Sequence, residues 1–89
     1  MSMEIEFDSA KDKANTAKHG ISLSAASEFE MAAAMVSADD RAVYGEDRFI
    51  AVGQLGDRLH VLIFTVRDGK IRTISLRKAN KREVKRYGR

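Results

Sequence analysis

Arg67, Arg72 and Arg77 are the residues whose type and spacing point most directly to chemistry. A guanidinium is planar and permanently charged, and its fork of donors matches two phosphate oxygens at once. The three lie at five-residue steps in a last quarter that holds ten of the sixteen Lys and Arg residues, opposed there only by Asp68 and Glu83. The rest of the chain has six cations and eleven anions, so a net charge of +3 hides a polarised molecule. Charge gathered at one end of a small domain is the electrostatic footprint of a nucleic-acid-binding surface. Arg48, Lys78, Lys81 and Arg82 extend it, and Tyr87 or Tyr44 offers a ring on which a base can stack. Two plainer readings compete. Lys81 to Arg86 also suit a solvated surface, and Arg72 also suits a strand-edge ion pair with Asp12 or Glu46.

Other chemistries find little support. His19 and His60 are the only histidines and neither has metal-ligand spacing. There is no Cys for nucleophilic catalysis or a disulfide. No phosphate-loop or dinucleotide glycine pattern occurs, and no serine sits in a nucleophile elbow. Lys18 and His19 fall in what reads as the last turn of a helix, where positive charge is favoured by the helix dipole. His60 begins an apolar strand and reads as structural. Glu46 beside Arg48 reads as a loop pair.

The elements that must position these groups follow from local patterns. Ile5 and Phe7 alternate with acids as a short half-buried strand. Asp8 is placed to cap a helix from Ser9 to His19, and Gly20 to end it in a left-handed conformation. Ala10, Ala14 and Ala17 form a small-residue stripe that predicts close approach to a sheet. Ser22 or Ser24 caps a second helix through Ala25, Ala26 and Phe29 to about Met31. Met35-Val36 reads as a short strand, and 39–47 as loop. Phe49–Gln54, Leu59–Val66 and Ile71–Arg77 form an antiparallel meander with turns at Gly56-Asp57 and Asp68-Gly69. Plain alternation puts Arg72, Ile74 and Leu76 on one face of the third strand and Ile71, Thr73, Ser75 and Arg77 on the other. Lys78 to Tyr87 is a basic helical tail. The expected fold is a single α+β domain over residues 1–89. A strand and two helices cover one face of an antiparallel sheet and leave the other free. The longest apolar run, Val61 to Phe64, is too short to span a bilayer. The acidic N-terminus has no signal-like apolar stretch. The expected location is the cytoplasm.

Phe7-Asp8, Lys11, Asn15, Lys18-His19-Gly20-Ile21 and Phe29 resemble the opening signature of the BrnT toxin family. Gly45-Glu-Asp-Arg-Phe49, Gly53, Thr65-Val-Arg67, Ile71-Arg-Thr-Ile-Ser-Leu-Arg-Lys-Ala79, Glu83 and Tyr87 match its second half in order. The resemblance runs from Glu4 to Tyr87. In two places the chain departs from the family pattern. Glu30-Met31 replaces the usual Asp-Pro, and Thr73 replaces a larger aliphatic residue. The Ala-rich segment from Met31 to Met35 predicts a longer second helix.

The resemblance implies a ribonuclease toxin of a type II toxin–antitoxin pair with a RelE-like fold. It further implies a small DNA-binding antitoxin, expected to be a ribbon-helix-helix protein, and a higher-order complex with it. The expected chemistry is metal- and cofactor-independent attack of an RNA 2′-OH on the adjacent phosphate. Arg67, Arg72 and Arg77 stabilise the phosphorane charge, Lys18 and His19 complete the site, and His19 moves the proton. Glu46 is the alternative base and Tyr87 the nucleotide contact. The rival is a non-catalytic module that binds RNA or an antitoxin. A toxin of this kind should also expose an apolar patch or sheet edge for its antitoxin to cover.

Overall fold

The computed structural model describes residues 4–88. Met1 to Met3 and Arg89, which entered the N-terminal and charge readings, lie outside them. The elements are β1 (Ile5–Phe7), α1 (Ser9–His19), two 3-10 segments (Leu23–Glu28 and Met31–Ala33), β2 (Met35–Ala38), β3 (Phe49–Leu55), β4 (Arg58–Arg67), β5 (Lys70–Lys78) and α2 (Lys81–Tyr87). They form one five-stranded sheet in the order β1-β5-β4-β3-β2. The meander pairs antiparallel as expected, with Asp68 and Gly69 both at positive φ in its second turn. β1, however, runs parallel to β5, so the sheet is mixed rather than antiparallel. The connection from β1 to β5 is the rest of the domain rather than a hairpin, and only a long crossover brings strands together in parallel.

One sheet face carries the main core of Leu23, Ala26, Phe29, Ala51, Leu62, Phe64, Ile71 and Leu76. The second helix expected there is 3-10 and not α. Leu23, Ala26 and Phe29 recur at three-residue intervals and all three are buried, which is the repeat that eclipses side chains along a 3-10 helix. The predicted extension through 31–35 does not form. Phe29 pairs with Leu55 in an isolated bridge, and the N–H of Glu30 donates to the Gln54 carbonyl at 2.9 Å. Gly53 makes this packing possible, since a Cβ there would lie 2.9 Å from Ala34 Cβ and 3.0 Å from Phe29 Cζ. Gly53→Ala should therefore destabilise the fold by roughly 1–3 kcal/mol through overpacking, measured as a lower urea midpoint.

α1 starts and stops where the sequence indicates. Asp8 accepts from the Lys11 N–H at 3.0 Å, and Gly20 ends the helix at φ 71°. The face it turns inward is not the alanine stripe. Ala10, Ala14 and Ala17 are exposed, whereas Asn15 is buried and Asp12 and His19 are half-buried. The reason lies in the backbone of β5, which β1 covers only as far as Thr73. Beyond that point, Leu76 presents an N–H and a C=O to the sheet edge. The Asn15 side chain takes both: Oδ1 accepts from Leu76 N–H at 3.0 Å, and Nδ2 donates to Leu76 C=O at 2.9 Å and Ile21 C=O at 2.8 Å. Asp12 accepts from Leu23 N–H at 2.7 Å and Ser22 Oγ at 2.9 Å. The helix is held by hydrogen bonds that satisfy buried polar groups, a need that outranks burying three methyls.

β5 contains a bulge. Ser75 pairs with Ile63 and Thr73 with Phe64, so Ile74 is an extra residue with no partner on β4. An inserted residue reverses the alternation beyond it. Leu76 therefore joins Ile71 in the main core. Arg77 crosses to the face of Arg72, contrary to the plain alternation. Thr73 is fully buried and donates from Oγ1 to the Glu6 carbonyl at 3.2 Å, which gives a polar residue at this core position a partner.

Candidate active site

The face opposite the main core carries Val52, Leu59, Val61 and Ala79. The sequence reading leaves this face free, but α2 and the 39–48 loop both approach it. Asn80 and Glu83 form a capping box at the start of α2. The same Glu83 carboxylate takes the Arg77 guanidinium in two parallel bonds of 2.8 Å. α2 is thus tied to β5 through Arg77. This contact pulls the Glu83 carboxyl below its ordinary pKa and raises that of Arg77.

Arg72 lies opposite Thr65, and Arg77 opposite Val61. The two positions are four residue steps apart along β4, roughly 13 Å at the usual strand rise. The arginines thus fall into two groups along one face. Arg72 pairs with Glu6 at 3.7 Å rather than with Asp12 or Glu46. Near it, Arg67 meets Glu46 at 3.2 Å, and Arg48 meets the same carboxylate at 3.2 Å while stacking over the Tyr44 ring at 4.1 Å. Glu46 therefore sits between two guanidiniums.

His19 belongs with Arg77. It lies on the inward face of α1, one turn beyond Asn15, which is bonded to Leu76. Its pKa is lowered from 6.5, first by burial, then by Lys18 and then by the Arg77 charge. The shift favours the neutral form of the imidazole. Lys18 itself is exposed. Lys78 is exposed at the end of β5, and Lys81 is exposed on α2. Arg82 and Tyr87 line a groove under α2, on the same sheet face as the arginines but displaced toward β3 and β2. His60 is buried, and its Nδ1 lies 2.9 Å from the Arg58 carbonyl, in keeping with a structural role. Among the described residues, no three His, Cys, Asp or Glu gather as metal ligands.

Two residues of this region were not singled out in the sequence for what they do here. Asn15 holds the strand that presents Arg77. Arg41 lies close enough to Arg77 for its charge to oppose the rise in the Arg77 pKa. It is fixed by Asp39, whose buried carboxylate accepts Nε at 2.7 Å and Nη2 at 2.8 Å. The only sequence signal was the Asp39-Asp40-Arg41 cluster. The loop is further held by Thr65 Oγ1, which donates to the Asp47 carbonyl.

Asp39 gives a pH prediction. The Arg41 hydrogen bonds lower its pKa from 3.8 to about 2. A depressed carboxyl stabilises the fold fully above its unfolded pKa, and the contribution fades as pH falls through the folded value. The loop should therefore lose about 1–2 kcal/mol between pH 4 and pH 2, discounted because the Arg41 end is solvated. Asp39→Asn should flatten that part of the stability curve, followed by urea melts across the range.

The family described as the ribonuclease toxin BrnT of type II toxin–antitoxin systems matches residues 7–83. The chain belongs to this family. The match runs from the last residue of β1 to the start of α2 and includes His19, Glu46, Arg67, Arg72 and Arg77. The 1.1 Å crystal structure of the Brucella abortus ribonuclease toxin BrnT superposes with a TM-score of 0.70 at 24% identity, covering 90% of this chain and all of that one. That likeness establishes a shared BrnT fold. No curated protein sequence matches the chain. Among the described residues, no helix is long and apolar enough to cross a membrane.

Proposed function

We propose that this BrnT-family toxin is a cytoplasmic, metal-independent endoribonuclease of RelE-like type that arrests growth and is neutralised by a ribbon-helix-helix antitoxin. The observation that carries the reading is the bulge at Ile74, which turns Arg72 and Arg77 to one face, with His19 within the electrostatic reach of Arg77. An RNA strand laid along this face meets a cation at each end. Neutral His19 accepts the proton of a 2′-OH as that oxygen bonds to phosphorus. The P–O5′ bond breaks, and the leaving 5′-oxygen takes a proton from solvent, giving a 2′,3′-cyclic phosphate. Arginine forks stabilise the added charge on the phosphorane. Glu46, pinned between Arg48 and Arg67, is the weaker candidate base.

The test is cleavage of a defined RNA by purified protein in excess EDTA, with the ends mapped. The expected products carry 2′,3′-cyclic or 3′-phosphate ends. A 5′-phosphate product, or activity that disappears with EDTA, overturns the mechanism. One observation favours the rival non-catalytic module: each of Arg67, Arg72 and Arg77 is already held by a carboxylate. Growth arrest on induction of the wild type, but not of Arg72→Ala or His19→Ala at equal soluble levels, decides for catalysis.

A further inference from the structure

The edge strand β2 and the groove beside it are not used by the proposed chemistry. All four β2 residues are exposed, Met35 at 62% and Val36 at 49%. The N–H of Asp39 donates to the Arg48 carbonyl, and Ser37 stands opposite Ile50. In an antiparallel ladder, hydrogen-bonded pairs alternate, so Val36 and Ala38 point their N–H and C=O groups to the open edge. Alongside runs a groove of about 350 Å³ between the sheet and α2, with Met35, Ile50 and Val52 among its lining. Arg82 and Arg86 also line it. Neither meets a carboxylate in an ion pair among the described residues, and the Glu83 carboxylate is taken by Arg77.

We infer that this edge and groove receive an extended acidic segment of the antitoxin, added to the sheet as a sixth strand beside β2. This rests on the toxin–antitoxin reading and adds the surface and the chemistry of the partner. The free edge supplies backbone hydrogen bonds, the mode by which extended peptides join a sheet. The apolar lining takes a side chain from the added strand. The arginines select carboxylates over cations. A nucleic acid fits less well, because Met35, Ile50 and Val52 offer no donor to a phosphate chain and the edge amides match a peptide backbone.

The experiment uses the full toxin with the antitoxin encoded beside its gene, comparing hydrogen exchange of the free and bound toxin and the affinity of two variants. Val36→Pro removes an outward N–H without breaking the ladder to β3. Arg86→Glu reverses a rim charge. The expected result is slowed exchange at Val36 and Ala38 in the complex and about tenfold weaker binding for each variant. If Val36→Pro does not fold, Arg86→Glu and the exchange pattern still decide. Protection elsewhere with unchanged affinities overturns this surface and leaves the antitoxin reading standing. Failure of the wild type to bind the neighbouring protein overturns both. Protection of Val36 and Ala38 by an oligoribonucleotide, and not by the antitoxin, reassigns the groove to RNA.

Discussion

Arg77→Ala should slow RNA cleavage by about two to three orders of magnitude, the usual cost of losing one group that stabilises transition-state charge. Three effects combine. A cation within electrostatic reach of His19 disappears from the arginine face. Glu83 loses its partner and leaves an uncompensated negative charge beside the phosphate path. The His19 pKa also rises, since Arg77 is one of the groups holding it down. That third effect has its own signature: the acid limb of the pH–rate profile should move toward higher pH in the variant. Arg77→Lys should fall between wild type and Ala, because it keeps the charge but not the fork that makes two bonds. Single-turnover cleavage of a labelled oligoribonucleotide across pH 5–8 reads both effects. An unchanged rate in Arg77→Ala would remove this residue from the site.

Asn15→Leu is the substitution with the largest expected cost in stability. It matches the shape of the amide but leaves the Leu76 N–H and C=O and the Ile21 C=O without partners. Each buried polar group left unpaired costs about 1–3 kcal/mol, and partial rehydration at the sheet edge brings the sum to about 3 kcal/mol. A chain of this length has only roughly 4–13 kcal/mol of stability in total. The urea midpoint should drop by about 1–3 M at the slope usual for small domains. A midpoint that barely moves would mean that water replaces the amide at little cost, and that the strand needs no such support.

These two residues also show what a sequence can and cannot reveal. The types of Arg67, Arg72 and Arg77 were enough to suggest phosphate chemistry, and helix ends at Asp8 and Gly20 and the turn at Asp68-Gly69 were readable because neighbouring residues determine them. The grouping of the arginines was not readable. It depends on one unpaired residue, Ile74, and nothing in Thr73-Ile-Ser marks a bulge. The parallel placement of β1 and the capture of Leu76 by Asn15 are likewise settled between residues far apart in the chain. The alanine stripe of α1 misled for a related reason. Its periodicity was sound, but the deciding groups were backbone atoms on a strand six decades of residues away in position, invisible to a pattern within the helix. In the 3-10 segment, Leu23, Ala26 and Phe29 fit a three-residue repeat as readily as an α-helical one, so spacing could not choose between them.

The contacts that complete the arginine face join the two ends of the chain. Thr73 reaches the Glu6 carbonyl across 67 positions, and Asn15 reaches Leu76 across 61. During synthesis the first strand and helix leave the ribosome well before β5 exists, a wait of several seconds at ordinary elongation rates of roughly 5–20 residues per second. Closing so long a loop also places these pairings among the slow, entropically costly steps of folding. A nascent chain that stops short of β5 holds Arg67 but neither Arg72 nor Arg77, and its β1 has no strand to join. The proposed arginine surface thus assembles only once β5 has been made.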